Sequence, residues 1–172
     1  MNIQRFTSDY FASLVDEADR SARARQHRNI HSSYEDPCQR FMNAIGMDSY
    51  IRPHRHALDP KAETLIAVRG LFALVIFNDE GTVQEVIRFG TERYAETQDL
   101  SVGVDLTPGI WHTIVSLQPG SILLELKAGP FNPDAAKEPA SWAPVEGTEE
   151  GKSYHLKLRE CISSFQLCGL KN

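Results

Sequence analysis

Between residues 50 and 127 the chain runs as short apolar segments separated by turns that contain glycine or proline. Segments such as 64–69 and 71–78 are long enough for strands and too short for most helices. Turn residues follow at 79–81 and 108–109. Many short strands joined by such turns are typical of a β-sandwich or barrel, so we predict a mainly β fold.

The first 48 residues follow a different pattern. Apolar residues at helical spacing predict a helix over residues 8–25. Asp36 and Pro37 resemble a helix cap followed by proline in the first turn, which predicts a second, short helix that runs to Ile45 and is ended by Gly46.

We therefore expect a single domain in three parts. Residues 1–48 form a helical segment packed on the barrel, and residues 49–130 form the barrel core. Residues 131–172 form a wrapping loop and a final element. The segment 153–165 fits either a strand or a helix, and the sequence leaves that choice open.

The charge of the chain limits its partners. The formal net charge of -5 provides no basic field for a phosphate backbone, so nucleic acid is not an expected partner. The four arginines in residues 20–28 fit the solvated end of a helix or, as the alternative, an anion-binding patch. No apolar run is long enough to span a membrane and residues 1–9 lack a signal-peptide core, so we expect a cytoplasmic protein.

Four residues predict a metal site. In a strand His54 and His56 point to the same side, roughly 7 Å apart, which lets both imidazoles reach one ion. A polar turn then brings Glu63 back beside them, and His112 begins a later strand just after a tight turn. Three imidazoles and a carboxylate suit one divalent transition metal: Fe, Mn, Co, Ni or Zn.

The same residues resemble the two cupin motifs. The first motif is carried by His54, His56, Glu63 and Gly70, and the second by Gly103, Pro108, Gly109 and His112. The resemblance implies a cupin barrel, that is, a double-stranded β-helix or jelly roll, with a bound metal.

A narrower resemblance is to the WbuC-type cupin metalloproteins, which are found with bacterial O-antigen polysaccharide genes. It covers roughly residues 28–147. The matching stretches are 28–31, 36–40, 50–56, 109–112, 125–131 and 142–147. This resemblance implies a metal-binding cupin in a polysaccharide setting, and it brings no settled reaction with it.

Strand alternation extends the predicted site. Tyr50 and Arg52 share the side of His54 and His56, so we expect them in the same cavity. Arg52 then binds an anionic ligand, or alternatively a barrel carboxylate.

Further candidates lie on the segment 121–127 and in the first 48 residues. Glu125 and Lys127 alternate with leucines and are either groups that handle protons inside the barrel or ordinary surface residues; the family resemblance favours the interior. The residues Arg28, His31, Gln39, Arg40 and Asn43 are predicted to cover the barrel mouth, the first four of them as substrate-binding residues, or else to dock a helix by polar contacts. We expect His27 and His155 on the surface.

Three functions remain open. The first is an enzyme acting on a small anionic or sugar-derived metabolite, with isomerisation or epimerisation as the leading reaction and Glu125, Lys127 and Tyr50 as candidate catalytic residues. The second is an Fe(II)-dependent dioxygenase with the same ligands. The third is a non-catalytic protein that binds or senses a small molecule through its metal. A homodimer paired through edge strands is a further expectation.

Overall fold

The structure is a computed structural model, and it describes residues 3–94 and 100–169, with side chains as far as residue 165. The elements in these residues are α1 (Ser8–Arg20), β1 (Arg25–Asn29), β2 (Cys38–Ile45), β3 (His54–Arg55), β4 (Glu63–Arg69), β5 (Leu71–Phe77), β6 (Val83–Gly90), a short 3-10 helix (Glu92–Tyr94), β7 (Gly103–Leu106), β8 (Trp111–Ser116), β9 (Ser121–Ala128), β10 (Glu138–Pro139) and α2 (Glu149–Gly169).

The strands form two antiparallel sheets. The first has the order β1-β2-β9-β4-β7 and the second has the order β10-β3-β8-β5-β6. Their inner faces contribute to one apolar core, in which Leu65 and Leu123 of the first sheet lie with Phe72 and Leu74 of the second. Because alternate strand residues point to opposite faces, each strand contributes only every second side chain to this interior.

One helix covers the outer face of each sheet. α1 begins after Thr7, whose hydroxyl accepts a hydrogen bond from the backbone N–H of Tyr10, and it buries Leu14 and Ala18 against the first sheet. α2 packs Leu158 on the second sheet. In the part of the chain described, neither helix has an apolar stretch of the length that a membrane crossing requires.

The prediction of a second short helix before Gly46 is wrong. Residues Cys38–Ile45 form β2, which pairs with β9 along its whole length and with β1 on its other edge. The Asp36-Pro37 signal is local, and pairing with two neighbouring strands outweighs it. The barrel therefore begins at Arg25, not at residue 49 as expected from the three-part division.

The remaining predictions concern the two terminal segments, and both segments are helices in the structure. The predicted first helix is confirmed but ends at Arg20, before the expected residue 25. The segment 153–165, which fitted a strand or a helix, lies within α2.

Candidate metal centre

Two strands and one turn bring the predicted histidines together. His54 of β3 lies directly opposite His112 of β8 in the antiparallel register. The turn before β8 contains Gly109 at φ +87, a backbone conformation that glycine adopts without steric cost. The imidazole atoms that can bind a metal on His54, His56 and His112 all lie within 4.8 Å of one another.

The hydrogen bonds of the three rings determine which nitrogen is free. The Nδ1 of His54 faces the Arg52 carbonyl oxygen at 3.0 Å. The Nδ1 of His56 faces the Ala136 carbonyl at 2.6 Å, and that of His112 faces its own strand at the Ile110 carbonyl at 2.9 Å. A carbonyl only accepts, so each Nδ1 carries the proton and each Nε2 presents a lone pair.

Glu63 adds a carboxylate to this centre. Its Oε2 lies 3.4 Å from Nε2 of His56 and 3.5 Å from Nε2 of His112. Its other oxygen lies 3.5 Å from the Lys127 ammonium. The nearby Lys127 ammonium favours the charged form of this buried carboxylate, which is the form that binds a cation.

These residues fit a divalent metal ion. The Nε2 of His56 is buried and, among the residues described, has no hydrogen-bond partner. Burial lowers the pKa of His54 well below its usual value, so its imidazole is neutral. Neutral imidazoles whose Nδ1 donates to a carbonyl are the usual form of histidine ligands, and a cation is what converging lone pairs require.

The histidines form one wall of a cavity of about 400 Å³. This volume lies at the lower end of the range for small-molecule sites, about 300–1,000 Å³. Its lining also includes the apolar side chains of Ile51 and Ile114 and the aromatic residues Tyr34 and Phe131. The cavity therefore offers a metal centre, a polar wall and an apolar wall to one small molecule.

Glu125 and Lys127 lie inside the cavity, which answers the question that the alternation of β9 left open. Leu124, on the other face of the same strand, packs toward α1. Burial, followed by the charge of Glu63, raises the pKa of Glu125 to about 8. Within the described residues its carboxyl group makes no side-chain hydrogen bond or ion pair, so it is free to meet a ligand.

Tyr50 and Arg52 lie outside the cavity, contrary to expectation. The Tyr50 hydroxyl donates to the Pro144 carbonyl, and its ring packs against Tyr154 of α2. The Arg52 guanidinium donates to the Ala140 carbonyl at 2.6 Å. β3 contains only His54–Arg55, so the alternation of an extended strand does not reach back to these residues.

Of the four substrate-binding candidates in the first 48 residues, two line the cavity and two do not. His31 and Gln39 line the cavity, but the Gln39 amide group donates to carbonyls of the turn at 33–36 and so holds that turn in place. Arg28 faces α1, where it pairs with Glu17 and lies over the Tyr10 ring. Arg40 points outward. The predictions of cavity positions for Arg28 and Arg40 are wrong because, on β1 and β2, the alternate residues face inward.

The cavity also contains residues outside the predicted ligand, catalytic and substrate-binding sets. Arg23, Asn43 and Lys137 line the cavity, as does His27, which was expected only on the surface. Strand alternation along β1 would have identified His27, and Asn43, predicted at the barrel mouth from helical spacing, reaches the cavity through the alternation of β2. His155 is also not a surface residue, since it is buried with its Nε2 at 2.8 Å from the Met47 carbonyl.

Comparisons with known proteins concern the family and the fold. A family model described as a domain of unknown function (DUF6016) matches residues 6–89. No curated protein matches the chain.

Similar solved structures include protein SO0799 from Shewanella oneidensis, with 13% identity, 78% of this chain and 85% of that chain covered, and a TM-score of 0.56. An uncharacterized conserved protein with a double-stranded β-helix domain from Klebsiella pneumoniae has 17% identity and a TM-score of 0.49, with 81% of this chain and 99% of that chain covered. KdgF from Halomonas sp. has 16% identity, 64% and 82% coverage and a TM-score of 0.44.

At such identities a structural likeness concerns the fold alone. The two facing antiparallel sheets confirm the predicted mainly β fold, a jelly roll preceded by a helix, and the Shewanella structure is similar in fold. The narrower resemblance to WbuC-type proteins stays a prediction.

Proposed function

We propose that this protein is a metal-dependent cupin that binds a small anionic or sugar-derived metabolite and moves a proton on it. The observation that carries the proposal is the orientation of the three imidazoles. Each Nδ1 is held by a carbonyl, so three Nε2 lone pairs converge beside the Glu63 carboxylate. His54, His56, His112 and Glu63 would hold one divalent transition metal.

The chain's own residues supply the rest of the chemistry. A divalent ion in this place offers a Lewis acid to an oxygen of the ligand. Glu125 faces the same cavity with a carboxyl group whose pKa is about 8, so near neutral pH it can both give and accept a proton. Lys127 neutralises Glu63 and orients its carboxylate. Proton transfer of this kind is what an isomerase or epimerase requires.

Metal analysis tests the first half of the proposal. We expect purified protein to retain about one divalent ion per chain and His112→Ala to lose it, since deletion of one of four ligands removes an inner-sphere bond. His27→Ala is the matched control because this ring lines the cavity outside the cluster. Equal metal contents in wild type and His112→Ala would contradict the assignment.

Solvent exchange tests the second half. Metal-loaded protein is incubated in D₂O with a panel of sugar acids and sugar phosphates, and deuterium entry at carbon is followed by NMR. We expect exchange with wild type and its loss with Glu125→Gln. Oxygen consumption without exchange would instead support the Fe(II) dioxygenase. Binding with neither reaction would support the non-catalytic binding or sensing protein.

A further inference from the structure

Basic side chains lie near one another in the lining of the cavity. We call Arg23, Arg25, His27 and Lys137 the basic rim; all four line the cavity. Burial and the nearby Arg25 charge lower the pKa of His27 to about 4, so its ring is neutral and the positive charge of the rim comes from the other three residues. Arg25 is buried and already engaged, because its guanidinium pairs with the Glu146 carboxylate and donates to the Tyr50 carbonyl. The side chains of the other three rim residues have no ion-pair or hydrogen-bond partner in the described parts of the chain.

The two carboxyl groups in the cavity do not neutralise the positive charge of the basic rim. Glu63 is committed to Lys127 and the histidines, and Glu125 is largely protonated near neutral pH because its pKa is about 8. Partial burial lowers the pKa of Lys137, and the positive charges of Arg25 and Arg23 lower it further, against the opposing effects of Glu146 and Glu125. Mutually repelling cations in one cavity lining, in a chain of net charge -5, favour an anionic occupant.

The backbone presents Arg23 from a fixed turn. The Ala24 N–H donates to the Ser21 carbonyl, the Gly46 N–H donates to the Ala24 carbonyl, and the Ser49 hydroxyl donates to the Arg23 carbonyl. Ala24 has φ 50, in the left-handed region that residues with a side chain rarely adopt. A turn held in this way limits the ordering that Arg23 must undergo when it binds.

A second polar feature lies beside the rim. Asn43 stands opposite His27 in the pairing of β1 with β2, and the residue is 2% exposed. Its Oδ1 is buried and receives no hydrogen bond from the residues that the structure covers. The Nε2 of His31, which also lines the cavity, is likewise buried without a hydrogen-bond partner among those residues. Buried polar atoms are normally paired, so these two call for hydroxyl groups or water.

We propose that the basic rim binds the oxyanion of a small hydroxylated acid, either a carboxylate or a phosphate monoester, through Arg23 and Lys137, while Asn43 accepts a hydrogen bond from a neighbouring hydroxyl of the same molecule. The inference rests on the proposed metabolite-binding role of the cavity and names the class of ligand that it takes. Arg52, the sequence-based candidate for this task, is turned away to the Ala140 carbonyl.

Calorimetric titration of the full chain tests the inference with four probes that share one hexose skeleton. Glucose is neutral, glucosamine is cationic, glucuronate carries a carboxylate and glucose 6-phosphate carries a phosphate. We expect at least one of the two acids to bind about tenfold or more tightly than glucose and glucosamine, since a hydrogen bond to a charged group is worth that much. The acid that is preferred separates the carboxylate from the phosphate. The preference should decrease at high salt.

Substitutions then locate the binding group. Arg23→Gln and Lys137→Gln should each weaken binding of the preferred acid about tenfold while leaving the folded state and metal content unchanged. Arg20→Gln is the control, because Arg20 is an exposed arginine at the end of α1 outside the cavity. The inference is overturned if acids and glucose bind alike, if none of the probes binds, or if both rim variants bind the acid as wild type does.

The same titrations separate this inference from the metal proposal. They are repeated in chelator and with His56→Ala. An acid preference that survives both and is lost in Arg23→Gln supports the rim, whatever the metal analysis finds. Retained metal with no acid preference supports the metal centre and overturns the rim.

Discussion

Metal binding at the histidine cluster should stabilise the folded protein, and His56→Ala should abolish that effect. The site exists only in the folded chain, because His54 and His56 come from one segment while Glu63 and His112 come from separate strands. A ligand that binds only the folded state adds about 2.7 kcal/mol when its free concentration is 100 times its dissociation constant.

That free energy can be converted into a melting temperature. For a domain of this size, 1 kcal/mol shifts the midpoint by about 2–4 °C, so saturating metal should raise it by about 5–11 °C over chelated protein. In His56→Ala we expect a shift near zero, and in the His27→Ala control the full wild-type shift. The difference with and without metal is taken within each variant, so any cost of losing the hydrogen bond from His56 to the Ala136 carbonyl cancels.

The assay is thermal unfolding of chelated protein with each of Fe(II), Mn, Co, Ni and Zn added in turn. Two results would refute the reasoning. One is a wild-type midpoint that no metal moves. The other is an equal metal-induced rise in wild type and His56→Ala, which would place the metal elsewhere in the chain.

Three further predictions concern the fold and the cavity. Gly109→Ala should destabilise the protein by about 1–2 kcal/mol through its positive φ alone, because nothing lies within 4 Å of the added Cβ. Gly70→Ala should destabilise it clearly more, since its Cβ would also lie 2.1 Å from the Ser121 hydroxyl oxygen, and equal losses of stability in denaturant unfolding would contradict this distinction. Glu146→Gln should cost about 3 kcal/mol, because it leaves the buried Arg25 guanidinium without its carboxylate; a loss below that of an ordinary surface pair would show that the pair is screened. In chelated protein the folded-state pKa of Glu125, about 8, lies above the unfolded value of about 4.3, so wild-type stability should fall as pH rises between these values, whereas Glu125→Gln should not show this fall. The melting temperature of the variant relative to wild type should therefore increase from about pH 5 to about pH 8.5, and a constant difference would count against the raised pKa.

Much of the candidate site could be predicted from local spacing. A spacing of two residues keeps His54 and His56 close enough to share one centre, and a tight turn with a glycine at positive φ places His112 at the start of β8. The choice of Glu63 followed from the short polar turn before β4. These relations extend over a few residues, and the backbone geometry of a strand or turn fixes them whatever the rest of the chain does.

Local spacing was misleading where a strand was too short or was not recognised. Tyr50 and Arg52 precede a two-residue strand, so alternation did not apply to them. Both side chains donate instead to carbonyls in the segment before α2, those of Pro144 and Ala140. Asp36 and Pro37 suggested a helix, but β2 is held by two neighbouring strands whose hydrogen bonds a single-sequence pattern does not reveal.

The sequence by itself determined the mainly β class, the turn positions and the identity of the four candidate ligands, because each depends on residue type and on distances of a few positions. Only the tertiary structure decided which side chains share the cavity with them. Arg23, Asn43 and Lys137 come from a turn, an inner strand and the loop before β10, and they meet only because sheet pairing and chain wrapping bring distant segments together. Long-range packing also decided that Glu125 faces inward, where burial gives its carboxyl group a raised pKa.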